Sequence, residues 1–276
     1  MTVSLMGRIV RTVAPTELPN CGRRRERRRR KTEKQNMCRH RYFSTFVCSM
    51  VFLVACKPKS PPHGASALDA HADVSSVPRR ENSITRVISK DGTQIAVECA
   101  GTGPSLVIVH GGIGDRRRWK PLFPLFTPRF TVCALDRRGH GASGDSPDYA
   151  LRKEAEDVAA VVNSQPGLVY LMGHSYGGVC ALEAAFLTDK ISKLVLYEPP
   201  LQELIDPAVV ARMENLIRSA ERDQALVIFL QEIVMIAPDE VAAMRARPSW
   251  PEQVASIESS LRQIRAIASY RFDSKR

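Results

Sequence analysis

Residues 168–180, LVYLMGHSYGGVC, restrict the fold more than any other stretch of this chain. Leu168–Met172 has the apolar, β-rich composition of a short strand, and Gly178–Leu187 has that of a helix. Between them lies Gly173-His174-Ser175-Tyr176-Gly177, which leaves no room for a loop. A strand that passes directly into a helix must turn sharply at Ser175. Gly173 and Gly177 then approach each other too closely for side chains, and Ser175 is held in a strained backbone conformation with its hydroxyl exposed. The Gly-x-Ser-x-Gly pattern alone is a weak signal, expected by chance in about one chain in ten of this length. Its strand–turn–helix setting is what gives it weight.

The elements around it fit an α/β layer. ITRVIS (84–89) and QIAVEC (94–99) flank Asp91-Gly92 and read as a hairpin. SLVIVHGG (105–112) is an unbroken apolar run ending in glycines, as expected of a strand buried on both faces. A helix is expected near Trp119–Phe126, although prolines interrupt it. FTVCALDRRGHGAS (130–143) reads as a second buried strand leading into a polar, glycine-rich loop. In LRKEAEDVAAVVNSQ (151–165), Ala155, Val158, Ala159 and Val162 fall at helical spacing. KLVLYEP (193–199) is a further strand. Strands alternating with helices predict a mostly parallel sheet. Beyond residue 200 the strand pattern stops. The segment 201–276 reads as four successive helices, with Asp206-Pro207 starting the first, and suggests a cap over the sheet.

Tyr176 starts the helix after the turn, so its N–H points to where an oxyanion would form, with the helix dipole adding positive potential. A second donor is expected from HGG (110–112), at the same edge of the sheet. The N–H of Gly112 is the candidate, with Ile113 next. HGG (110–112), DRRGHGAS (136–143) and GHSYGG (173–178), followed by LYEPP (196–200), together resemble the α/β-hydrolase fold in motif order and spacing. The resemblance covers residues 84–200, the first six strands of that fold, and a helical cap at 201–276. It implies a serine hydrolase in which Ser175 is the nucleophile and Gly112 and Tyr176 supply the oxyanion-hole N–H groups. A serine at the elbow argues against epoxide hydrolases and dehalogenases. It leaves a small-molecule substrate with an ester, thioester, lactone, amide or activated C–C bond. No cofactor or metal is implied.

The resemblance also implies an acid and a histidine after the serine, yet no histidine follows His174. The expectation is a chain that stops before the family's last two strands, which carry the acid and the base, so that catalysis is impaired. It leaves KLVLYEP as an open sheet edge. His110 is expected to serve the structure of the oxyanion loop, His140 belongs to the loop after its strand, and His174 is expected to turn away from Ser175. Glu198 sits where a minority of family members place the acid. The alternative is a non-catalytic binding protein on the same fold.

The net charge of +11 is concentrated in residues 1–41, with 13 Lys/Arg and 3 Asp/Glu, and the remainder is nearly neutral. The folded part therefore carries no polyanion-binding signature, and no nucleic-acid partner is expected. Residues 1–36 read as a basic disordered or non-native upstream segment. From Met37, Arg39-His40-Arg41 precede the apolar run Tyr42–Ala55, too short for a comfortable membrane span. The run closes on Leu53-Val54-Ala55-Cys56, which resembles a bacterial lipoprotein signal over 37–56. This implies lipid attachment at Cys56 and a membrane partner. The protein is then expected in the bacterial cell envelope, facing away from the cytoplasm. Residues 57–83, rich in Pro, Ser and Ala, read as a flexible tether. Cys99, Cys133 and Cys180 sit in apolar contexts and are expected to be buried thiols rather than disulfide partners. The sequence says nothing of oligomeric state.

Overall fold

The computed structural model describes residues 51–55, 83–201 and 205–273. The basic segment 1–36, residues 37–50 of the signal, Cys56 and residues 57–82 of the tether lie outside the described residues. A seven-stranded sheet organises the rest, with strands β1 (Val51–Ala55), β2 (Ile84–Ile88), β3 (Gln94–Ala100), β4 (Ser105–Val109), β5 (Thr131–Leu135), β6 (Val169–His174) and β7 (Ile191–Tyr197) in the spatial order β1-β7-β6-β4-β5-β3-β2. The central strands β5, β4, β6 and β7 run parallel. β3 joins β5 antiparallel, and β2 closes that side as the hairpin partner of β3, turning at Gly92, whose φ is 87°.

Burial follows the sequence pattern. Every residue of β4 and β5 is buried, as their unbroken apolar runs require. β6 alternates buried and half-buried positions, and edge strand β2 leaves Ile84 and Ile88 exposed. The interrupted helix after β4 is a 3₁₀ segment, Arg116–Leu122, followed by a single α turn, α1 (Phe123–Phe126). Pro121 accounts for the irregularity, and the Asp115 carboxylate caps the segment by accepting from the Arg117 N–H at 2.8 Å. Helix α2 (Leu151–Asn163) buries Ala155, Val158, Ala159 and Val162 as expected, and helix α3 (Tyr176–Ala184) follows the elbow.

Two expectations are corrected here. The outer edge of β7 is not open: β1 pairs with it antiparallel, from Val51 opposite Tyr197 to Ala55 opposite Lys193. A row of unpaired strand N–H and C=O groups is a template for any extended segment within reach, and the end of the apolar run fills it. Cys99 and Cys133 are also not free thiols. They face each other in the antiparallel β3/β5 register and form a disulfide, while Cys180 is the free, buried thiol among the described residues.

The cap comprises α4 (Pro207–Arg218), α5 (Arg222–Ile228), a wider π turn at Phe229–Ile233, α6 (Pro238–Arg245), α7 (Trp250–Ala255) and α8 (Ile257–Ser269). Asp206 caps α4 by accepting from the Ala208 N–H, with Pro207 in the first turn, as the sequence suggested. The last expected helix is broken at Ser256 into α7 and α8. Met213, Leu226, Leu230, Trp250, Ile257 and Leu261 give the cap an apolar cluster of its own.

Candidate functional site

β6 delivers Ser175 to the elbow with φ 52° and ψ −128°, a conformation that L residues rarely adopt. The surroundings hold it there. The Ser175 N–H donates to the Tyr197 carbonyl at 2.9 Å, and the Gly178 N–H donates to the Ser175 carbonyl at 2.7 Å. A Cβ on Gly173 would lie 2.4 Å from the Gly177 carbonyl oxygen, and one on Gly177 would lie 2.2 Å from that of His110. The flanking glycines are therefore steric requirements, as the sequence indicated.

Ser175 opens into a cavity of about 680 Å³ between the sheet and the cap. Gly111, Gly112, Ile113 and Tyr176 line it on the sheet side, and Phe229, Leu230, Ile233, Ile264 and Ile267 on the cap side. Tyr176 opens α3, so its N–H is one of the first-turn donors that have no intrahelical acceptor. Gly112, Ser175 and Tyr176 thus all line the one cavity. Glu198 also lines the cavity, with φ 50° just past the end of β7. Arg118 is the cationic member of the lining.

Two of the three described imidazoles, His110 and His140, are hydrogen-bonded away from Ser175. His110 is fully buried. Its Nε2 accepts from the Arg137 N–H at 3.0 Å, so Nδ1 carries the proton and donates to the Gly111 carbonyl at 2.9 Å. His140 Nε2 lies 2.7 Å from Gln263 Nε2. Burial, reinforced by the Arg137 charge, pushes both imidazoles well below their ordinary pKa. His174, expected to turn away from Ser175, lines the same cavity. It is stacked on Tyr197 with centroids 5.1 Å apart and edge-on to Trp119. Burial, with a contribution from Arg118, lowers its pKa to about 4. The aromatic walls on either side favour this inward placement over exposure of the ring.

The sequence reading missed a buried charge network beneath the elbow. Arg137 reaches both carboxylate oxygens of Glu154 at 3.0 Å, and Arg138 grips Asp157 at 2.6 and 2.7 Å and Asp91 at 2.9 Å. Arg116 bonds Glu98 at 3.1 Å and also pairs with Asp136. Glu154 and Asp157 flank Ala155 and Val158 on the inward side of α2, and that placement was the available signal. Carboxylates on a helix's buried face need cationic partners, and the Arg137-Arg138 doublet is adjacent to them. Among the described residues, no group of three or more His, Cys, Asp or Glu side chains is arranged to hold a metal ion.

A serine on a strand–helix elbow, at the carboxyl ends of parallel strands and beneath a helical cap, defines an α/β-hydrolase type of protein. Residues 106–274 match the alpha/beta hydrolase family, and the chain belongs to that family. An alpha/beta hydrolase from Sphaerobacter thermophilus shares the fold with a TM-score of 0.61 at 36% identity, over 67% of this chain and 74% of that one. A 2-(acetamidomethylene)succinate hydrolase of Mesorhizobium japonicum is 31% identical over 43% of this chain and 42% of its own length. A pimeloyl-[acyl-carrier protein] methyl ester esterase of Methylococcus capsulatus is 36% identical over 32% of this chain and 34% of its own. The chain thus spans less than half the length of these two curated relatives.

Proposed function

We propose that the chain is a serine hydrolase in which Ser175 attacks an ester-like or amide-like carbonyl of a small molecule. The Ser175 Oγ–carbon bond forms as the carbonyl π pair moves onto oxygen. The Gly112 and Tyr176 N–H groups receive that charge. The serine proton passes to a base, which returns it to the departing alcohol or amine as the intermediate collapses to an acyl-serine. Water then attacks that ester by the same route, releasing the acid and restoring the Ser175 hydroxyl. The observation that carries this reading is the strained Ser175, locked by Gly173 and Gly177 and opening beside Gly112 and Tyr176. The relatives' names, a hydrolase and a methyl ester esterase, support the bond class.

Among the described residues no imidazole is hydrogen-bonded to the Ser175 hydroxyl, and burial holds His174 at a pKa of about 4, so turnover by this chain is expected to be impaired. Hydrolysis of p-nitrophenyl acetate and butyrate by the wild type and by Ser175→Ala tests the reading. Slow turnover lost in Ser175→Ala supports it, and identical rates in the two proteins sink it. The lack of an imidazole bonded to Ser175 among the described residues also favours a second reading, a non-catalytic binding protein that uses the same cavity. Saturable ligand binding with no Ser175-dependent hydrolysis would select that one.

The same proposal includes lipid anchoring through Cys56 to a membrane of the bacterial cell envelope, on the side away from the cytoplasm. The Cys99–Cys133 disulfide supports an oxidising compartment. Cleavage before Cys56 would remove β1 with the signal and reopen the β7 edge, so the strand and the anchor cannot both persist. Mass spectrometry of the mature N-terminus decides this: a diacylglyceryl Cys56 supports the anchor, and an intact Val51–Ala55 refutes it.

A further inference from the structure

We propose that Ser260 and Gln263, on cap helix α8, are positioning residues for the oxyanion donors, acting on Gly112 directly and through Arg137. The inference rests on the serine-hydrolase reading and adds to it a control element in the cap.

The geometry starts from the peptide planes. The Gly112 N–H belongs to the Gly111–Gly112 peptide, whose carbonyl accepts from Arg137 Nη2 at 2.7 Å and from His110 Nδ1 at 2.9 Å. In a trans, planar peptide the N–H is opposed to the C=O. Two donors beneath the Gly111 carbonyl therefore turn the Gly112 N–H to the opposite side. The next plane is held from above, because the Gly112 carbonyl accepts from Ser260 Oγ at 2.9 Å, the one hydroxyl proton being shared with the Ser256 carbonyl at 3.0 Å in the same helix. Each peptide of the donor loop is thus held by a side chain from outside the loop, Arg137 or Ser260, with His110 adding a bond from within it.

Arg137 also touches the other donor residue, its guanidinium lying 5.0 Å over the Tyr176 ring. Its own placement depends on Glu154 and on Gln263 Oε1, which accepts from Arg137 Nη2 at 3.0 Å. Arginine has only donors, so Gln263 must turn its oxygen to Arg137 and its NH₂ to His140 Nε2 at 2.7 Å. The amide has one orientation that satisfies both neighbours. Ser260 and Gln263 are almost wholly buried on the same face of α8 as Ile257, Leu261, Ile264 and Ile267. Polar side chains on an apolar helix face cost desolvation unless they are bonded, and here both are bonded to the donor loop or to what holds it. Ser260, Gln263, Ile264 and Ile267 also line the cavity, so a ligand that presses on α8 acts on the peptide planes that present the N–H groups.

The test uses the full chain with Ser260→Ala, Gln263→Leu, the hydroxyl-retaining Ser260→Thr, and Arg265→Ala as a control on the exposed face of α8. Two readouts are taken: the ¹⁵N–¹H resonances of Gly112, Ile113 and Tyr176, and p-nitrophenyl butyrate kinetics. Expected are displaced Gly112 and Ile113 resonances in Ser260→Ala and Gln263→Leu. kcat should fall about tenfold, less than the 10²–10³ of deleting a donor, with KM within about twofold. Ser260→Thr should restore both, and Arg265→Ala should change neither. Resonances that stay in place in Ser260→Ala and Gln263→Leu overturn the proposal, as does a kcat loss that Arg265→Ala reproduces. If the wild type shows no Ser175-dependent hydrolysis, the serine-hydrolase reading fails, and the resonances still decide whether α8 positions the loop.

Discussion

Gly177→Ala isolates the packing that makes the elbow possible. The new Cβ would lie 2.2 Å from the His110 carbonyl oxygen and 2.8 Å from that of Val109, against an ordinary carbon–oxygen contact of about 3.3 Å. Relief requires a shift of about 1 Å between two backbones, with no flexible side chain to yield. One of them is anchored by the Ser175 N–H bond to the Tyr197 carbonyl and by the Gly178 N–H bond to Ser175. Overpacking costs about 1–3 kcal/mol, and loss of one anchoring hydrogen bond adds about 1 kcal/mol, so a destabilisation of about 3 kcal/mol is expected. Gly112→Ala is the matched control. Its Cβ would meet nothing closer than the Phe229 ring at 3.6 Å, and the lower entropy of its unfolded chain should leave it neutral or more stable by about 0.5 kcal/mol. Urea unfolding followed by circular dichroism measures both. A Gly177→Ala midpoint equal to that of the wild type, or below which Gly112→Ala falls, would refute the steric reasoning.

Other consequences follow from the buried groups. Glu154→Ala leaves the Arg137 guanidinium buried without its carboxylate and should cost about 3–5 kcal/mol in urea unfolding; a loss below about 1 kcal/mol would show that the pair is dispensable. The Cys99–Cys133 disulfide closes a loop of sequence separation 34, so reduction should lower stability by about 4 kcal/mol. Dithiothreitol should therefore shift the wild-type melting temperature and leave Cys99→Ser/Cys133→Ser unmoved; equal responses would contradict the bond. His174 stays neutral in the folded chain down to about pH 4, whereas the unfolded chain takes up that proton near its ordinary 6.5. The unfolded state thus binds more protons across that window. Stability should be full above pH 6.5 and decline as pH falls toward 4, with buried His110 and His140 adding to the slope. His174→Phe should flatten the slope, and an unchanged pH dependence in that variant would exclude the assignment.

Much of the fold was legible because its signals are local. The unbroken runs of β4 and β5, the 3.6-residue stripe on α2 and the Asp206-Pro207 helix start each depend on residues near in sequence. Ser175, Gly112 and Tyr176 converge for the same reason: the motif that names each also places it at the end of a strand. What escaped notice depends on partners far along the chain. Arg137 reads as a loop charge until Glu154 and Gln263 come to it across 17 and 126 positions. Cys99 and Cys133 read as buried thiols because each sits in an apolar context, yet pairing is decided by cross-strand register, which local context does not reveal. β1 escaped because an apolar run reads equally well as a signal core or as an edge strand, and only the vacancy beside β7 distinguishes them. The break at Ser256 carried no proline or glycine to announce it.

The central claim, that Ser175 is an addressable nucleophile beside preformed oxyanion donors, is tested most directly by a fluorophosphonate probe on the full chain, with tandem mass spectrometry to place the adduct. The expected result is one adduct, on Ser175, formed more slowly than in a hydrolase with an intact acid and histidine, and absent in Ser175→Ala. An adduct on another residue, or none on Ser175 after prolonged exposure, would contradict the claim. Labelling at the rate of an intact hydrolase would contradict the impairment.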